Sequence, residues 1–543
     1  MSVGLRRFAD KSFTVTAVGS VLLLTAALVI ILGPMLLHGS TAIVFDGTVE
    51  FREMQLARHG RGNPAAVARE VAAAEETRRP LYEALDEFKR GIDTAYLEDE
   101  ARQIYTELGK QLRNRDLEGD EELAIRRHAR GLRDMLVEAF EATDKDHARR
   151  LLGQVLADRD APRLAGTVGE RLFAMARDYL AGLDTLDLAR REEYAAALKE
   201  VQEALQTLLG PRPGEPTPPL AMNRYGATRM DLAERWEDDL LYGERWVQTE
   251  PGQPLVKVRI DREAEQFQGT RLASLFRTWR ENREAILRPR LTVYWQYLID
   301  DSIPGHFFGG VGPEILGTLV ITLLAIAFAF PLGLVSAAYL VEVAGDSLVV
   351  RSIRMCINTL AGVPSIAFGL FGLAFFVGVV MDGTRCVLAA SLTLGVLVLP
   401  VVIRASEEAI RSVPHTYKEA ALALGASRLR CFVTVQLPAA MPGILTGVIL
   451  SMSRAAGETA PILFTGAVAV GPALWDRAVW DWAGQQTRVL SYGAFDLASN
   501  DRVAAMVPHQ QFGMVMTLVV LVLLLNGLAI IVRWRVSRKL RGH

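Results

Sequence analysis

The sequence predicts an all-α membrane protein with six transmembrane helices and a large, mainly helical domain inserted between the first two. Three observations predict it. Six apolar runs are each long enough to cross a bilayer. Lysine and arginine gather on alternate connections between those runs. A strongly charged stretch, roughly residues 51–290, separates run one from run two and repeats its apolar positions at helical spacing. At 543 residues the chain is also too long for one ordinary domain.

The first run, Phe13 to Leu37, follows Arg6, Arg7 and Lys11. It is too long for the apolar core of a cleaved leader, and a small-x-small cleavage site is not obvious after it, so it reads as an anchor. The other runs are Ile315 to Val341, Met355 to Met381, Val387 to Ile403, Ile444 to Val468 and Phe512 to Val532. If the basic N-terminus lies in the cytoplasm, the inward segments are Glu342 to Arg354, Arg404 to Pro438 and the tail Arg533 to His543. These carry most of the flanking arginines, whereas the opposite loop Asp382 to Arg385 has a single cation. Both termini are therefore expected inside and the insertion outside. The expected division is 1–40 for the N-terminus and first helix, 41–312 for the insertion, and 313–543 for the remaining five helices.

Within the insertion, Leu132, Leu136 and Phe140, and again Leu198, Val201, Leu205 and Leu208, form apolar helical stripes. Residues 211–219 (PRPGEPTPP) cannot continue a helix, since proline lacks the amide donor and clashes with the preceding turn, and they are expected to be a linker. Val256, Val258 and Ile260 alternate with charged residues as a half-buried strand would. Interleaved charges fit solvated helix faces, and no nucleophile elbow, metal cluster or phosphate-cradling glycine loop occurs.

Net charge is −2 and spread along the chain, which leaves no footprint for nucleic acid. The three cysteines, Cys356, Cys386 and Cys431, all lie in the apolar half at spacings that suit neither a disulfide framework nor zinc. The eight histidines are scattered, and His415 reads as a helix-cap residue. No cofactor is implied.

The most informative stretch lies between the fourth and fifth runs, EEAIRSVPHTYKEAALALGASRLRCFVTVQLP. Ser412 or Pro414 can open a helix. Small Ala420, Ala421 and Ala423 keep it slim enough to enter a groove, and Gly425 closes it. Glu419-Ala420-Ala421, then Gly425, Val435 and Leu437-Pro438 fall at the offsets of the EAA signature, and the stretch resembles the loop 405–438 of ABC importer permeases. Only Val435 departs from the usual isoleucine. The resemblance implies that this helix docks on a separate ATP-binding subunit, a dimer in such importers. The chain itself has no G-x-x-x-x-G-K-[ST] loop.

The fifth run contains SRAAGETAP, Ser453 to Pro461. If one helix extends from Pro442 to Thr465, Arg454 sits near mid-membrane, where an ionisable side chain is costly and functional by default. Glu458 follows one turn later. The pair reads either as a site where an oxyanion competes for the guanidinium or as a permanent structural bridge.

SRAAGETAPILFTGA, with NTLAGVPSIAFGLFGLAFFV and FFGGVGPEILGT, resembles the phosphate ABC transporter permease of the PstA type over about Pro313 to the C-terminus. The resemblance implies a type I importer fold and a phosphate path past Arg454. Pro364 and Ser365 fall in the family's membrane-embedded GVPS turn, where Pro364 also breaks the helix ladder. It further implies a second, PstC-like permease, an ATPase dimer and an external phosphate-binding protein as partners, in a bacterial inner membrane. Other expectations are a permease for molybdate or sulfate, and a membrane sensor. The large insertion departs from the family, and a lid, a docking surface and an assembly contact are open roles for it.

Overall fold

The computed structural model describes residues 3–113, 119–158, 164–184, 188–213, 215, 225–248, 255–345, 347–500 and 506–540. Most of the expected linker 211–219 thus lies outside the described residues. The chain forms two compact units, residues 1–45 with 292–543, and residues 46–291. The boundaries differ from the expected 41 and 312 because Tyr294, Tyr297, Ile303, Phe308 and Val311 are buried within the membrane unit.

Helix α1 (Val3–Ser40) opens the chain, and strand β1 (Val44–Gly47) leads into the insertion. There α2 (Val49–His59), α3 (Pro64–Ile92), α4 (Thr94–Arg113), α5 (Gly119–Glu141), α6 (Lys145–Ala157), α7 (Glu170–Leu183) and α8 (Arg191–Leu209) follow one another. Starts are set by short-range chemistry. Asn63 accepts from the amides of Ala65 and Ala66 just before Pro64, and Asp144 caps α6 by accepting from Asp146 and His147. Leu132, Leu136 and Phe140, with Leu198, Val201, Leu205 and Leu208, are buried in one core as their spacing predicts. Phe88 meets Tyr194 and Phe267 edge-on at centroid separations of 5.6 and 5.5 Å.

The insertion closes with α9 (Met230–Leu241), β2 (Tyr242–Val247), β3 (Val256–Asp261), α10 (Ala273–Leu287) and β4 (Arg290–Val293). Strands β2 and β3 pair antiparallel, with Tyr242 opposite Asp261 and Val247 opposite Val256. The strand at Val256 to Ile260 exists, but only Ile260 is buried; Val256 and Val258 face solvent, so the expected half-buried face is corrected. Among the described residues no third strand pairs with this two-stranded ribbon.

In the membrane unit α11 (Gly312–Glu342) precedes α12 (Leu348–Leu360), α13 (Ser365–Gly372) and a π-helical stretch, Leu373–Val380. Then come α14 (Val387–Arg411), α15 (His415–Ala423), α16 (Arg428–Cys431), α17 (Leu437–Gly457), α18 (Ala460–Thr465), α19 (Leu490–Ser499) and α20 (Pro508–Leu540). Among the described residues five helices are long and apolar enough to cross a membrane: α1, α11, α14, α17 with the short segment before it, and α20. The run Met355 to Met381 is not one straight helix. It is a pair bent by 102° between Leu360 and Ser365, because Pro364 has no amide to donate and disfavours helical backbone at Val363. The run Ile444 to Val468 is also broken, since α17 stops at Gly457 and the nitrogen of Pro461 cannot bond the Gly457 carbonyl. The fourth run extends further than expected, as α14 continues to Arg411.

Small residues set the helix spacing. A Cβ on Gly447 would lie 2.2 Å from the Ala405 Cβ, and one on Gly443 would lie 2.7 Å from that of Ala409, so two glycines of α17 interlock with two alanines of α14. α1 packs on α20 near its C-terminal end, where the His38 and Phe512 rings meet tilted at a centroid separation of 5.3 Å.

Candidate functional site: a coupling rod and a broken-helix cation

The stretch between α14 and α17 folds as a rod with no buried residue in α15. Pro414 occupies the N-cap position and His415 is the first helical residue. At the other end Gly425 adopts φ 85°, and the amides of Gly425 and Ala426 bond back to Leu422 and Ala421, a left-handed helix closure. A Cβ on Gly425 would meet nothing within 4 Å, so within this chain glycine is required by backbone conformation and not by an obstructing neighbour. Glu419, Ala420 and Gly425 are exposed and Ala421 half-buried; Leu437 and Pro438 begin α17.

Polar contacts fasten the rod to the bundle. Lys418 Nζ lies 2.5 Å from Glu342 at the end of α11, and Gln436 Nε2 donates to the same carboxylate at 3.0 Å. Arg354 Nε on α12 lies 3.1 Å from Glu407 on α14, whose other partner, Arg411, is one turn away. In the sequence these cations count only toward the charge of the inward segments that contain them. The missed signal is Glu342, a lone acid ending a long apolar run.

Arg454 lies in the last turn of α17, not in the middle of a longer helix, so the mid-helix expectation is corrected. Its Nε is 3.3 Å from Glu458 Oε1, and the two side chains are 38% and 19% exposed. A cation there faces the negative end of the helix dipole, which stabilises it modestly. Glu458 is already extended backbone (ψ 126°), and its carbonyl accepts from Ser491 Oγ at 3.3 Å. Ser453 donates to Asn526 Oδ1 on α20 at 2.5 Å. Asn526 was overlooked, although a single amide inside the apolar run of α20 was its signal.

Pro364 precedes α13 at an exposed N-cap position, and Ser365 is its first, half-buried residue. α13 then packs on α18, since a Cβ on Gly369 would lie 2.9 Å from the Ala460 carbonyl oxygen and 3.1 Å from Pro461 Cα. Val363 and Phe368, flanking that turn, share an apolar cluster with Ala455 next to Arg454. The breaks after Leu360 and after Gly457 are thus neighbours through packing. No direct contact joins Ser365 to Arg454 among the described residues.

A second polar cluster lies where α11 begins. Arg488 reaches Asp301 at 2.6 Å, Ser302 at 3.3 Å and buried Glu314 at 3.5 Å. His306 (φ 57°) is buried beside it, and desolvation with the Arg488 charge pushes its imidazole down to about 4.

Residues 329–542 match the family model described as a binding-protein-dependent transport system inner membrane component. Several of the curated proteins it is similar to are named PstA phosphate permeases. The chain is 41% identical over 170 residues to the phosphate transport system permease protein PstA 1 of Mycobacterium tuberculosis (strain H37Rv), covering 31% of this chain and 54% of that one. It is 41% identical over 157 residues to the probable ABC transporter permease protein YqgI of Bacillus subtilis (strain 168), covering 29% and 53%. A probable PstA of Methanocaldococcus jannaschii is 40% identical over 157 residues, covering 29% and 55%. The chain spans about half the length of these curated relatives. A chain from an inward-facing MetNI methionine ABC transporter covers 42% of this chain and 95% of its own length at 20% identity and TM-score 0.34, too low a score to carry an argument.

Proposed function

We propose that the chain is the transmembrane permease subunit of an ATP-driven importer of inorganic phosphate, docking through α15 on a separate ATPase dimer. The observation that carries the reading is the exposed rod His415–Ala423, closed by left-handed Gly425 and tied by Lys418 to α11, in a domain whose relatives are named phosphate permeases. Glu419, Ala420, Ala421, Gly425, Leu437 and Pro438 form the coupling element. Closure of the ATPases moves the rod, and the Glu342 and Glu407 pairs pass that motion to α11, α12 and α14. Arg454 offers its guanidinium to the oxyanion at the break after α17. Glu458 holds it when the path is empty, with Pro364 and Ser365 contributing the facing turn.

Pairing at the two ends of the bundle supports six spans. α11 ends at Glu342 against Lys418, just beyond α14, while the Val387 amide donates to Gln485 and Glu314 meets Arg488 three residues on. Helices α11 and α14 therefore run the same way, so the intervening chain must return across the bilayer and the bent pair acts as one span. α1 meets the first turns of α20 with its own C-terminal end, which brings both chain termini to the rod's side. By the positive-inside rule the basic tail favours the cytoplasm of a bacterial inner membrane for that side, with residues 41–312 periplasmic. A PstC-like permease and a periplasmic phosphate-binding protein complete the assembly.

Uptake of labelled phosphate by cells carrying Arg454→Ala or Arg454→Lys tests the pathway. Phosphate uptake should collapse with Arg454→Ala at normal protein level, and wild-type transport of sulfate or molybdate instead of phosphate would overturn the substrate. Co-purification of the ATPase should be lost with Glu419→Lys plus Gly425→Asp; normal assembly of that variant would reject α15 as the docking rod.

A further inference from the structure

A cleft of about 750 Å³ opens between α17 and the end of α20, on a part of the bundle that neither the rod nor Arg454 uses. Its mouth carries Arg533 and Arg538, and its wall carries Ile530, Ile531 and Trp534. Arg533 Nη1 donates to Thr446 Oγ1 at 3.0 Å, and that hydroxyl donates in turn to the Pro442 carbonyl at 2.8 Å. The hydroxyl proton is thereby committed to α17, leaving the oxygen lone pairs to hold the guanidinium across the cleft. The Arg538 guanidinium lies 5.4 Å from the Trp534 ring centre. Among the described residues no carboxylate forms an ion pair with either arginine, so two positive charges flank one groove without an internal counter-ion.

We propose that this cleft is a binding site for an anionic phospholipid, with the headgroup phosphate between Arg533 and Arg538 and an acyl chain along Ile530 and Ile531. Each part of the cleft meets one part of such a lipid. A planar guanidinium matches a phosphate in bidentate fashion. Tryptophan at the end of a spanning helix sits at headgroup level. The two isoleucines, within one turn before Arg533 and about two turns before Arg538, are exposed and continue the apolar flank of α20 into the hydrocarbon. Basic pockets between spanning helices are the general form of headgroup recognition, and the groove adds shape to a charge that a bare basic tail would also supply. A free phosphate anion would satisfy the arginines and leave the isoleucine wall unused.

The test uses the full chain purified in detergent and reconstituted in nanodiscs, with retained lipid measured by native mass spectrometry. Phosphatidylglycerol and phosphatidylcholine are offered separately, and soluble glycerol phosphate is added as a competitor. Arg533→Gln and Arg538→Gln should each weaken phosphatidylglycerol retention about five-fold, which is what ~1 kcal/mol per cation near a membrane surface corresponds to, while phosphatidylcholine retention stays unchanged. Arg535→Gln, on the same turn but outside the cleft, should leave retention at the wild-type level. Equal losses for all three variants would reduce the effect to the charge of the tail and overturn the site. Displacement of the lipid by millimolar glycerol phosphate would overturn the acyl contribution. Retention of a partner subunit there, with no lipid bound in the isolated chain, would also refute it. None of these readouts depends on transport, so they stand apart from the fate of the phosphate reading.

Discussion

Breaking the Lys418–Glu342 pair is expected to uncouple the rod from the bundle while leaving the rod itself intact. Lys418 and Glu342 are 28% and 13% exposed, at 2.5 Å, and Glu342 holds Gln436 at 3.0 Å as well. A solvent-exposed pair contributes ~0–1 kcal/mol. A hydrogen bond to a charged group, once shielded, contributes about 1.5–3 kcal/mol. The partial burial here sets the pair between these limits, at about 1–2 kcal/mol, or a factor of roughly 5 to 30 in an equilibrium. Lys418→Met, Glu342→Gln and the double variant form a thermodynamic cycle, read by thermal unfolding of the purified complex and by phosphate-stimulated ATP hydrolysis. Each single change should lower the melting temperature, and the double variant should cost less than their sum by that coupling. Transport should fall in all three with ATPase co-purification retained. If the effects add to within ~0.5 kcal/mol, the two side chains do not communicate and the proposed route of force through α11 is refuted.

At Gly425 the requirement is left-handed backbone, so Gly425→Asn should assemble with the ATPase almost normally and Gly425→Val should not; equal loss would point to a steric demand from the partner. Gly369→Val would force side-chain atoms into the Ala460 carbonyl and Phe464, and should lower stability by about 1–3 kcal/mol in thermal melts, while no change would mean that α13 and α18 separate freely. The buried His306 imidazole titrates near 4 against an ordinary 6.5. The unfolded chain therefore binds the extra proton between these values, and stability, full above pH 6.5, should fall as pH drops toward 4, by up to about 3 kcal/mol. His306→Asn, which tolerates positive φ, should flatten that limb of the melting curve; an unchanged slope would remove His306 as its cause. Asn526→Leu should slow transport by removing the α20 anchor of Ser453 beside Arg454, leaving the hydroxyl only its bond to the Ile449 carbonyl, with Asn526→Gln restoring part of it; identical transport in both would strip Asn526 of any positioning role.

The two tiers of the molecule differed in legibility. Apolar stripes such as Leu132, Leu136 and Phe140 name their own burial, because helical spacing leaves a single face for the core. The start and stop of α15 were readable from Pro414 and Gly425, since each acts through its own backbone. At Ile444 to Val468, Gly457 and Pro461 signal a weakened helix, but the full break was not legible, because hydropathy averages over Gly457 to Pro461 while helix continuity depends on one absent amide. Partners distant in sequence were not readable at all. Glu342 and Lys418 are 76 residues apart, and Ser453 and Asn526 are 73. Nothing local in either segment announces the other. The exposure of Val256 and Val258 was hidden for a similar reason, because alternation states that two faces differ and not which one is covered.

The interruptions after Leu360 and after Gly457 bear on how such a bundle could swing between two access states. A continuous helix bends only by sacrificing ladder hydrogen bonds inside hydrocarbon, where no water replaces them. Here that loss is built into the resting architecture, at two places whose downstream half-helices clasp each other through Gly369. In the importer proposed above, the clasped pair would pivot as one lever on two ready-made joints, so that reorientation moves side chains past one another and leaves the backbone ladder unbroken.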